Sequence, residues 1–149
     1  MVESMPIPPV WRMLRLCAVV IMVTILAITG HVAGASADPD ISTDREINQG
    51  LFVIVVANKI RKKCDTIDAR MWRALMFIEN LKAKARARGY TRPQVEAYLN
   101  NEEARAHMDD LRDAYIKQHV GDTSPESLCR LGREEIARNS QIGYLLKAE

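Results

Sequence analysis

An uncharged stretch near the start of the chain decides which residues are left to fold. Two arginines precede residues 16–29, a run rich in Val, Ile, Leu and Ala, and small residues then lead to Ala37. A positive end, an apolar centre and an Ala-x-Ala site in this order are typical of a secretory signal peptide. We therefore predict cleavage after Ala37, which separates a signal peptide, residues 1–37, from a single domain, residues 38–149.

The alternative for this segment is an uncleaved membrane anchor. Residues 16–37 contain no Lys, Arg, Asp or Glu, so a membrane span is compatible with the sequence. However, the apolar run thins into Gly, Ser, Thr and His31 well before the roughly 20 residues that a spanning helix needs. A lipoprotein signal is rejected because Cys17 precedes the apolar run instead of following it. We expect export with cleavage, which places the mature protein in the periplasm.

Cleavage also changes the number of cysteines. Cys17 leaves with the signal peptide, and the mature chain keeps Cys64 and Cys129. Two cysteines in an exported protein most simply form one disulfide. Closing a loop of about 65 residues in this way contributes about 4 kcal/mol on the loop-entropy model. That is a large part of a typical total stability of about 5–15 kcal/mol.

The first helix is predicted over residues 44–63. The segment Thr43–Glu46 has the pattern of a capping box, in which Thr43 bonds forward and Glu46 reaches back. The centre of the helix, residues 51–57, is apolar and rich in β-branched residues, so taken alone it could be a buried strand. The capping pattern, the basic end of the segment and the lack of a second strand-like segment to pair with it favour a helix.

Further helix starts follow along the chain. The second helix should begin near Asp65 and run to Arg88, with Gly89 as the left-handed residue after its end. The third, fourth and fifth helices have starting signals at Thr91–Gln94, Asn100-Asn101 and Ser124-Pro125. The fourth should stop near Gly121, and the apolar residues within 140–149 predict a tail that docks. The expected fold is all-α, a compact bundle of four to five helices with one disulfide.

The predicted disulfide joins the end of the first helix to the first turns of the fifth. This requires the Cα atoms of Cys64 and Cys129 to lie within about 7 Å of each other. Gly132 shares a helical face with Cys129, and a glycine inside a helix costs about 1 kcal/mol relative to alanine. Close approach of the first helix would explain the glycine, so we predict that Gly132 packs near Cys64.

The first helix is apolar on more than one side. One face carries Ile47, Leu51, Ile54 and Ala57. Phe52 and Val56 lie on the opposite side, in line with Lys59 and Lys63. A helix that is apolar all round is either central in its bundle or presents one side to a partner. One possibility is that the third helix or the tail covers Phe52 and Val56. The other is that a partner surface is formed by Phe52, Val56, Lys59 and Lys63.

The sequence contains no pattern that predicts catalysis. Gly-x-Ser-x-Gly, Walker, dinucleotide-binding and haem-attachment motifs are all absent. Glu103, His107 and Asp110 share a helical face, but no further ligands at supporting spacing complete a metal site. A solvated histidine on an acidic helix is the simpler interpretation. We therefore predict a protein that is not an enzyme, with no metal, no cofactor and no small-molecule substrate.

Charge argues against nucleic acid as a partner. The formal charge of +2 falls to +1 on cleavage, because Glu3, Arg12 and Arg15 together carry +1, and a nearly neutral domain lacks the basic excess of a nucleic-acid binder. Two basic clusters, Lys59–Lys63 and Lys82–Arg88, lie at predicted helix ends, where the helix dipole favours cations. If the first two helices are antiparallel, the clusters lie at opposite ends of the pair. Either could touch lipid headgroups or an acidic protein surface.

Several segments together give the chain a resemblance to a known family. They are the signal peptide, the helix ending in Cys64, Gly89-Tyr90-Thr91, Cys129–Glu135 and Ile142-Gly143. With them the chain resembles a family of small exported alphaproteobacterial proteins, classed as a domain of unknown function. That family looks like a source of accessory subunits on the periplasmic face of the respiratory NADH dehydrogenase, complex I. The resemblance implies a non-catalytic protein that stabilises periplasmic loops of this inner-membrane complex.

The alternative function is that of a free periplasmic binding protein. Small helical proteins with one disulfide also resemble acid-stress chaperones of the holdase type and toxin-immunity proteins. Such chaperones expose apolar surface when acid opens them. The histidines and carboxylates of this chain could titrate, but no clustering of them marks a switch. Membrane association separates the two functions, because an accessory subunit should co-purify with solubilised inner membrane and a holdase should remain soluble.

Overall fold

The computed structural model describes residues 40–149, so the predicted signal peptide, its cleavage after Ala37 and Cys17 lie outside the described residues. The elements are a 3-10 turn (Ile41–Thr43), α1 (Arg45–Lys63), β1 (Ile67–Ala69), α2 (Met71–Ala87), α3 (Arg92–Asn100), α4 (Glu102–Val120), α5 (Pro125–Ala137), α6 (Gln141–Tyr144) and β2 (Leu146–Ala148). The predicted all-α bundle with one disulfide is confirmed, with a small two-stranded sheet added. No helix in this part of the chain is long and apolar enough to cross a bilayer.

The start of α1 differs from the predicted capping box by one residue. Asp44 is the N-cap, and its carboxylate accepts hydrogen bonds from the backbone amides of Glu46 and Ile47, both at 3.1 Å. Thr43 lies in the preceding 3-10 turn, where its hydroxyl donates to the carbonyl of Asp40 at 2.9 Å. The predicted roles of Thr43 and Glu46 are therefore wrong. Aspartate is as effective an N-cap residue as threonine, and the hydroxyl of Thr43 is already hydrogen-bonded within the 3-10 turn.

The start of α2 was predicted too early. Residues 67–69 form β1, which pairs antiparallel with β2 so that Ile67 lies opposite Ala148 and Ala69 opposite Leu146. Arg70 then joins the tail to the start of α2, because its backbone amide donates to the carbonyl of Leu145 at 2.8 Å. No sequence pattern indicates this strand pair, since three residues are too few to show an alternating pattern.

Helix α1 is the central element of the main core. The core combines buried residues of α1, β1, α4, α5 and the tail, namely Val53, Val56, Ala57, Ile60, Cys64, Ile67, Ile116, Val120, Leu128, Leu131, Ile142, Leu145 and Leu146. Its tail members confirm the prediction that residues 140–149 dock. A smaller cluster at the other end of α1 contains Ile41, Ile47, Ala85 and Tyr90. All the residues of both clusters belong to the described part of the chain.

Helices α1 and α2 run antiparallel. Glu46, in the first turn of α1, forms ion pairs with Lys84 at 2.5 Å and with Arg88, both at the end of α2. The two basic clusters of the sequence therefore lie at opposite ends of the helix pair, as expected. Helix α2 ends as predicted, with Gly89 at a φ of +87°, a conformation that glycine adopts without a steric penalty.

The predicted starts of the later helices are confirmed. Thr91 and Gln94 form a capping box at the start of α3, and the side chains of Asn101 and Ser124 cap α4 and α5. No buried side-chain nitrogen or oxygen between residues 40 and 149 lacks a hydrogen-bond partner. The core residues, both cysteines of the disulfide and the hydrogen-bond partners of the buried polar atoms all lie within residues 40–149. We therefore expect these residues to fold by themselves.

Candidate functional site

The disulfide fixes the geometry at one end of α1. Cys64 is the residue that follows the last turn of α1, and its Cα lies 5.1 Å from that of Cys129 in α5. The bridge predicted from the cysteine count is confirmed. A Cβ on Gly132 would lie 2.7 Å from Cγ2 of Ile60 and closer still to the side chain of Ile67. These residues flank Cys64 in sequence, so the close approach expected at Gly132 is present.

The predicted partner surface of Phe52, Val56, Lys59 and Lys63 does not form one surface. Val56 is 0% exposed and belongs to the main core. Phe52 is half-buried and packs edge-on against Tyr115 of α4, with ring centroids 5.4 Å apart. Helix α4 therefore covers Phe52, and Val56 is buried in the core that α1 shares with α4, α5 and the tail, so the expected cover by the tail is present at Val56. No residue of the third helix belongs to this core cluster. Because α4 packs here, this side of α1 belongs to the interior.

Half-buried apolar residues of α1 lie instead in a groove shared with α3 and α4. We call this surface the basic groove. Its floor is apolar and consists mainly of Leu51, Ile54, Val55, Leu99 and Met108. Its rim is mainly basic and consists of Lys59, Lys62, Lys63, Arg105 and Arg112 with one carboxylate, Asp109. The groove encloses about 550 Å³, which is within the range of roughly 300–1,000 Å³ typical of ligand sites.

The cations of the basic groove differ in whether they have partners. Arg112 is held by two carboxylates, since its guanidinium bonds Asp113 at 2.7 Å and also contacts Asp109. The hydrogen bond from Arg112 lowers the pKa of Asp113 below its usual value. For the other rim cations, Lys59, Lys62, Lys63 and Arg105, no carboxylate among residues 40–149 lies within 4.0 Å. Four of the five rim cations therefore lie beside an apolar floor without an ion-pair partner among the described residues.

Glu135 is a buried carboxylate for which we predicted no role from the sequence. It is 0% exposed and accepts hydrogen bonds from the hydroxyl of Tyr115, the guanidinium of Arg138 and the hydroxyl of Ser140. Burial alone raises the pKa of Glu135, but these three donors outweigh it, so the pKa lies below its usual value. Burial and the adjacent carboxylate raise the pKa of Tyr115 to about 12.

This buried network connects α4, α5 and the start of α6. Each donor serves to satisfy the carboxylate, and Glu135 itself has no exposed surface that a substrate could reach. We therefore interpret the network as structural. The sequence does contain a signal for it, because Glu135 follows Leu128 and Leu131 at the spacing of one helical face.

The candidate metal ligands remain on the surface. Glu103 and His107 line a shallow depression between α3, α4 and the 3-10 turn, and Asp110 is exposed farther along α4. Within residues 40–149, no group of three or more His, Cys, Asp or Glu side chains is arranged to hold a metal ion. A solvated role for His107 is consistent with this geometry.

Helix α2 leaves a row of large apolar side chains in solvent. Met71 and Trp72 are each 72% exposed, and Leu75 and Met76 continue the row along the helix. The sequence placed Met71 and Leu75 at helical spacing, but apolar spacing looks the same for a residue in the core and for one that faces a partner. A row of this kind is typical of an interaction surface.

Together these features define a small, disulfide-linked helical protein with an apolar, basic-rimmed groove. The chain belongs to the family of unknown function DUF5333, whose model matches residues 39–147. No curated protein and no solved structure matches the chain.

Proposed function

We propose that the protein is a non-catalytic interaction protein that holds an acidic, apolar helical segment of a membrane-bound partner complex in the basic groove. The observation that carries this proposal is the charge of the rim. Lys62 and Lys63 are exposed beside an apolar floor, and no carboxylate within residues 40–149 lies within 4.0 Å of either amine. A segment with acidic residues along one edge would supply the missing charge.

The shape of the basic groove supports a helical occupant. Its walls are themselves helices, α1 on one side and α3 and α4 on the other. Proteins bind amphipathic helices in such grooves, with apolar residues at positions i, i+3 or i+4 and i+7 against the floor. Charge complementarity at the rim then selects the partner and its direction. Leu99 and Met108 in the floor are the contacts that such apolar residues would make.

The disulfide and the start of the sequence support a site of action outside the cytoplasm. A disulfide such as Cys64–Cys129 persists in oxidising compartments and is rare in the cytosol. The order of charge, apolar run and small residues up to Ala37 is that of a cleaved signal peptide. The proposal therefore includes cleavage after Ala37 and a mature protein in the periplasm.

The particular partner that we propose is the periplasmic face of an inner-membrane respiratory complex, the NADH dehydrogenase. The family resemblance described above is what supports this choice. As an accessory subunit, the protein would carry no redox group and would stabilise loops of the membrane arm that emerge into the periplasm. An acidic amphipathic segment in one of these loops is the expected occupant of the basic groove.

Native mass spectrometry tests the proposal. Membranes from cells that express the tagged full chain are solubilised in detergent, and the complexes that co-purify are weighed and sequenced. We expect subunits of the NADH dehydrogenase in stoichiometric amounts. Charge reversal at the rim, Lys62→Glu with Lys63→Glu, should remove them.

The matched control changes the same number of charges away from the basic groove. Lys117 and Arg133 are exposed and lie outside the groove lining, so Lys117→Glu with Arg133→Glu should leave the complex intact. Loss of the complex in both double variants, or recovery of the wild-type protein without it, contradicts the proposal. A wild-type protein that stays free and suppresses client aggregation at low pH would instead be a holdase.

A further inference from the structure

A second basic and apolar surface lies where α2 begins. We call it the Trp72 surface, and it is lined mainly by Arg61, Asp68, Arg70, Met71, Trp72, Arg73 and Lys147. Met71 and Trp72 occupy the first two positions of α2 and are each 72% exposed. Leu75, which is 50% exposed, extends the apolar area along the helix. None of these residues lines the basic groove.

Three of the four cations of the Trp72 surface have no carboxylate partner among the described residues. Arg70 donates from Nε to the carbonyl of Leu146 at 2.8 Å, and the Arg73 guanidinium lies 4.7 Å from the centroid of the Tyr144 ring. Neither partner carries a negative charge. The one carboxylate in the surface is Asp68, which lies 4.0 Å from Lys147. In the described part of the chain, no carboxylate lies within 4.0 Å of Arg61, Arg70 or Arg73.

We propose that the Trp72 surface binds the surface of a bilayer that contains anionic lipid. Trp72 and Met71 would enter the headgroup region, and the surrounding cations would contact lipid phosphates. Tryptophan is enriched at this depth of a membrane because its ring is apolar while its N–H can still donate a hydrogen bond. Basic residues beside such a side chain add attraction to an anionic leaflet.

The arrangement favours a bilayer over a second copy of the chain. In a symmetric dimer the same patch faces itself, so four cations and one carboxylate, a net positive charge, would meet an equal positive charge. It also favours a bilayer over the helical occupant proposed for the basic groove. Trp72 protrudes from a shallow surface, which does not form the kind of groove in which an amphipathic helix buries its apolar face. The lipid phosphates of a bilayer surface complement the surrounding cations, and the headgroup region accommodates the protruding indole.

Trp72 itself can report on the binding. The chain contains two tryptophans, Trp11 and Trp72, and Trp11 precedes the domain of residues 38–149. The oxidised domain is mixed with vesicles of pure phosphatidylcholine or with vesicles that also contain phosphatidylglycerol. We expect the Trp72 emission to shift to shorter wavelength with the anionic vesicles alone, and the shift to weaken as salt is added.

Co-sedimentation with the same vesicles tests the residues. Trp72→Ala, and separately Arg61→Gln with Lys147→Gln, should each weaken binding about tenfold. The matched control, Lys82→Gln with Arg92→Gln, removes the same charge from exposed positions at the far end of α2 and in α3, and it should bind like the wild type. The inference is overturned by equal binding to neutral vesicles, by an equal loss in the control, or by a blue shift that develops with protein concentration when no vesicles are present. The basic groove is unchanged in all of these variants, so either proposal can fail without the other.

Discussion

The two sides of α1 use their residues in opposite ways. Towards α4, α5 and the tail, Val56 and Ile60 are fully buried, and Cys64 at the end of the helix is bonded to Cys129. Towards the basic groove, Ile54 is half-exposed and Lys62 is exposed without a carboxylate partner among the described residues. The core side of α1 is therefore buried and bonded by other parts of the chain. The groove side keeps a half-exposed apolar residue and a lysine without a carboxylate partner among the described residues.

This difference separates stability from binding on a single helix. Changes on the core side should lower the free energy of unfolding and affect a partner only through loss of folded protein. Changes on the groove side should release the partner and leave unfolding almost unchanged. Substitutions in the core and at the rim of the basic groove test that separation.

The largest loss should follow removal of the disulfide. Cys64→Ala with Cys129→Ala opens a loop with a sequence separation of 65, and on the loop-entropy model this lowers the free energy of unfolding by about 4 kcal/mol. Urea unfolding of the variant and of the oxidised wild type measures the difference. At temperatures where the variant remains folded, partner binding should persist. An unchanged urea midpoint would show that the bridge does not stabilise the core side.

Gly143→Ala should produce the next largest loss. A Cβ at this position would lie 2.6 Å from the backbone nitrogen of Ile136 and closer still to the carbonyl of Glu135. Both groups belong to the backbone of α5 and have little freedom to move, so we expect a loss of about 3 kcal/mol. Gly132→Ala is the comparison, because its Cβ would meet side-chain methyl groups that can shift. Thermal unfolding should rank Gly143→Ala as the more damaging, and the reverse order would contradict this reasoning.

Glu135→Gln should cost about 2 kcal/mol at neutral pH, because it weakens a buried carboxylate network with three donors. The effect depends on pH with a definite sign. The folded-state pKa of Glu135 is lowered from the ordinary value of 4.5, so the carboxylate stabilises the fold above 4.5. That contribution is lost as the pH falls through the lower folded-state pKa.

Urea unfolding at pH 7 and at pH 3 measures this dependence. The wild type should be clearly more stable than Glu135→Gln at pH 7, and the difference should shrink at pH 3. Glu134→Gln, at an exposed neighbouring position, should show neither effect. A difference between wild type and Glu135→Gln that stays constant over this range would contradict the assigned pKa direction.

Local sequence signals predicted most of the helices, and tertiary pairing accounts for what they missed. The capping residues Thr91, Asn101 and Ser124 act within four residues of themselves, so the sequence alone reveals them. The strand pair of Ile67–Ala69 with Leu146–Ala148 forms between segments far apart in the chain. Neither three-residue segment shows a pattern of its own, so no local rule could find the pair.

The candidate site was predictable in part. The lysines at the end of α1 were identified from their charge, and they do line the groove. The apolar residues assigned with them were wrong, because helical spacing does not say on which side α4 will pack. Val56 consequently lies in the core, and Ile54 is the half-exposed residue that lines the groove. The helical spacing of apolar residues was equally uninformative about Trp72, because such spacing does not indicate whether a side chain is buried or exposed.

The smallest change in stability should accompany charge reversal at the rim of the basic groove. Lys62 and Lys63 lie in the last turn of α1, where the helix dipole favours cations, but they also repel the neighbouring Lys59. These effects oppose each other, so Lys62→Glu with Lys63→Glu should change the free energy of unfolding by no more than about 0.5 kcal/mol. Urea unfolding of this variant beside Lys117→Glu with Arg133→Glu measures it. A loss well above that of the control would mean that the rim supports the fold, and the groove side could no longer be regarded as free for a partner.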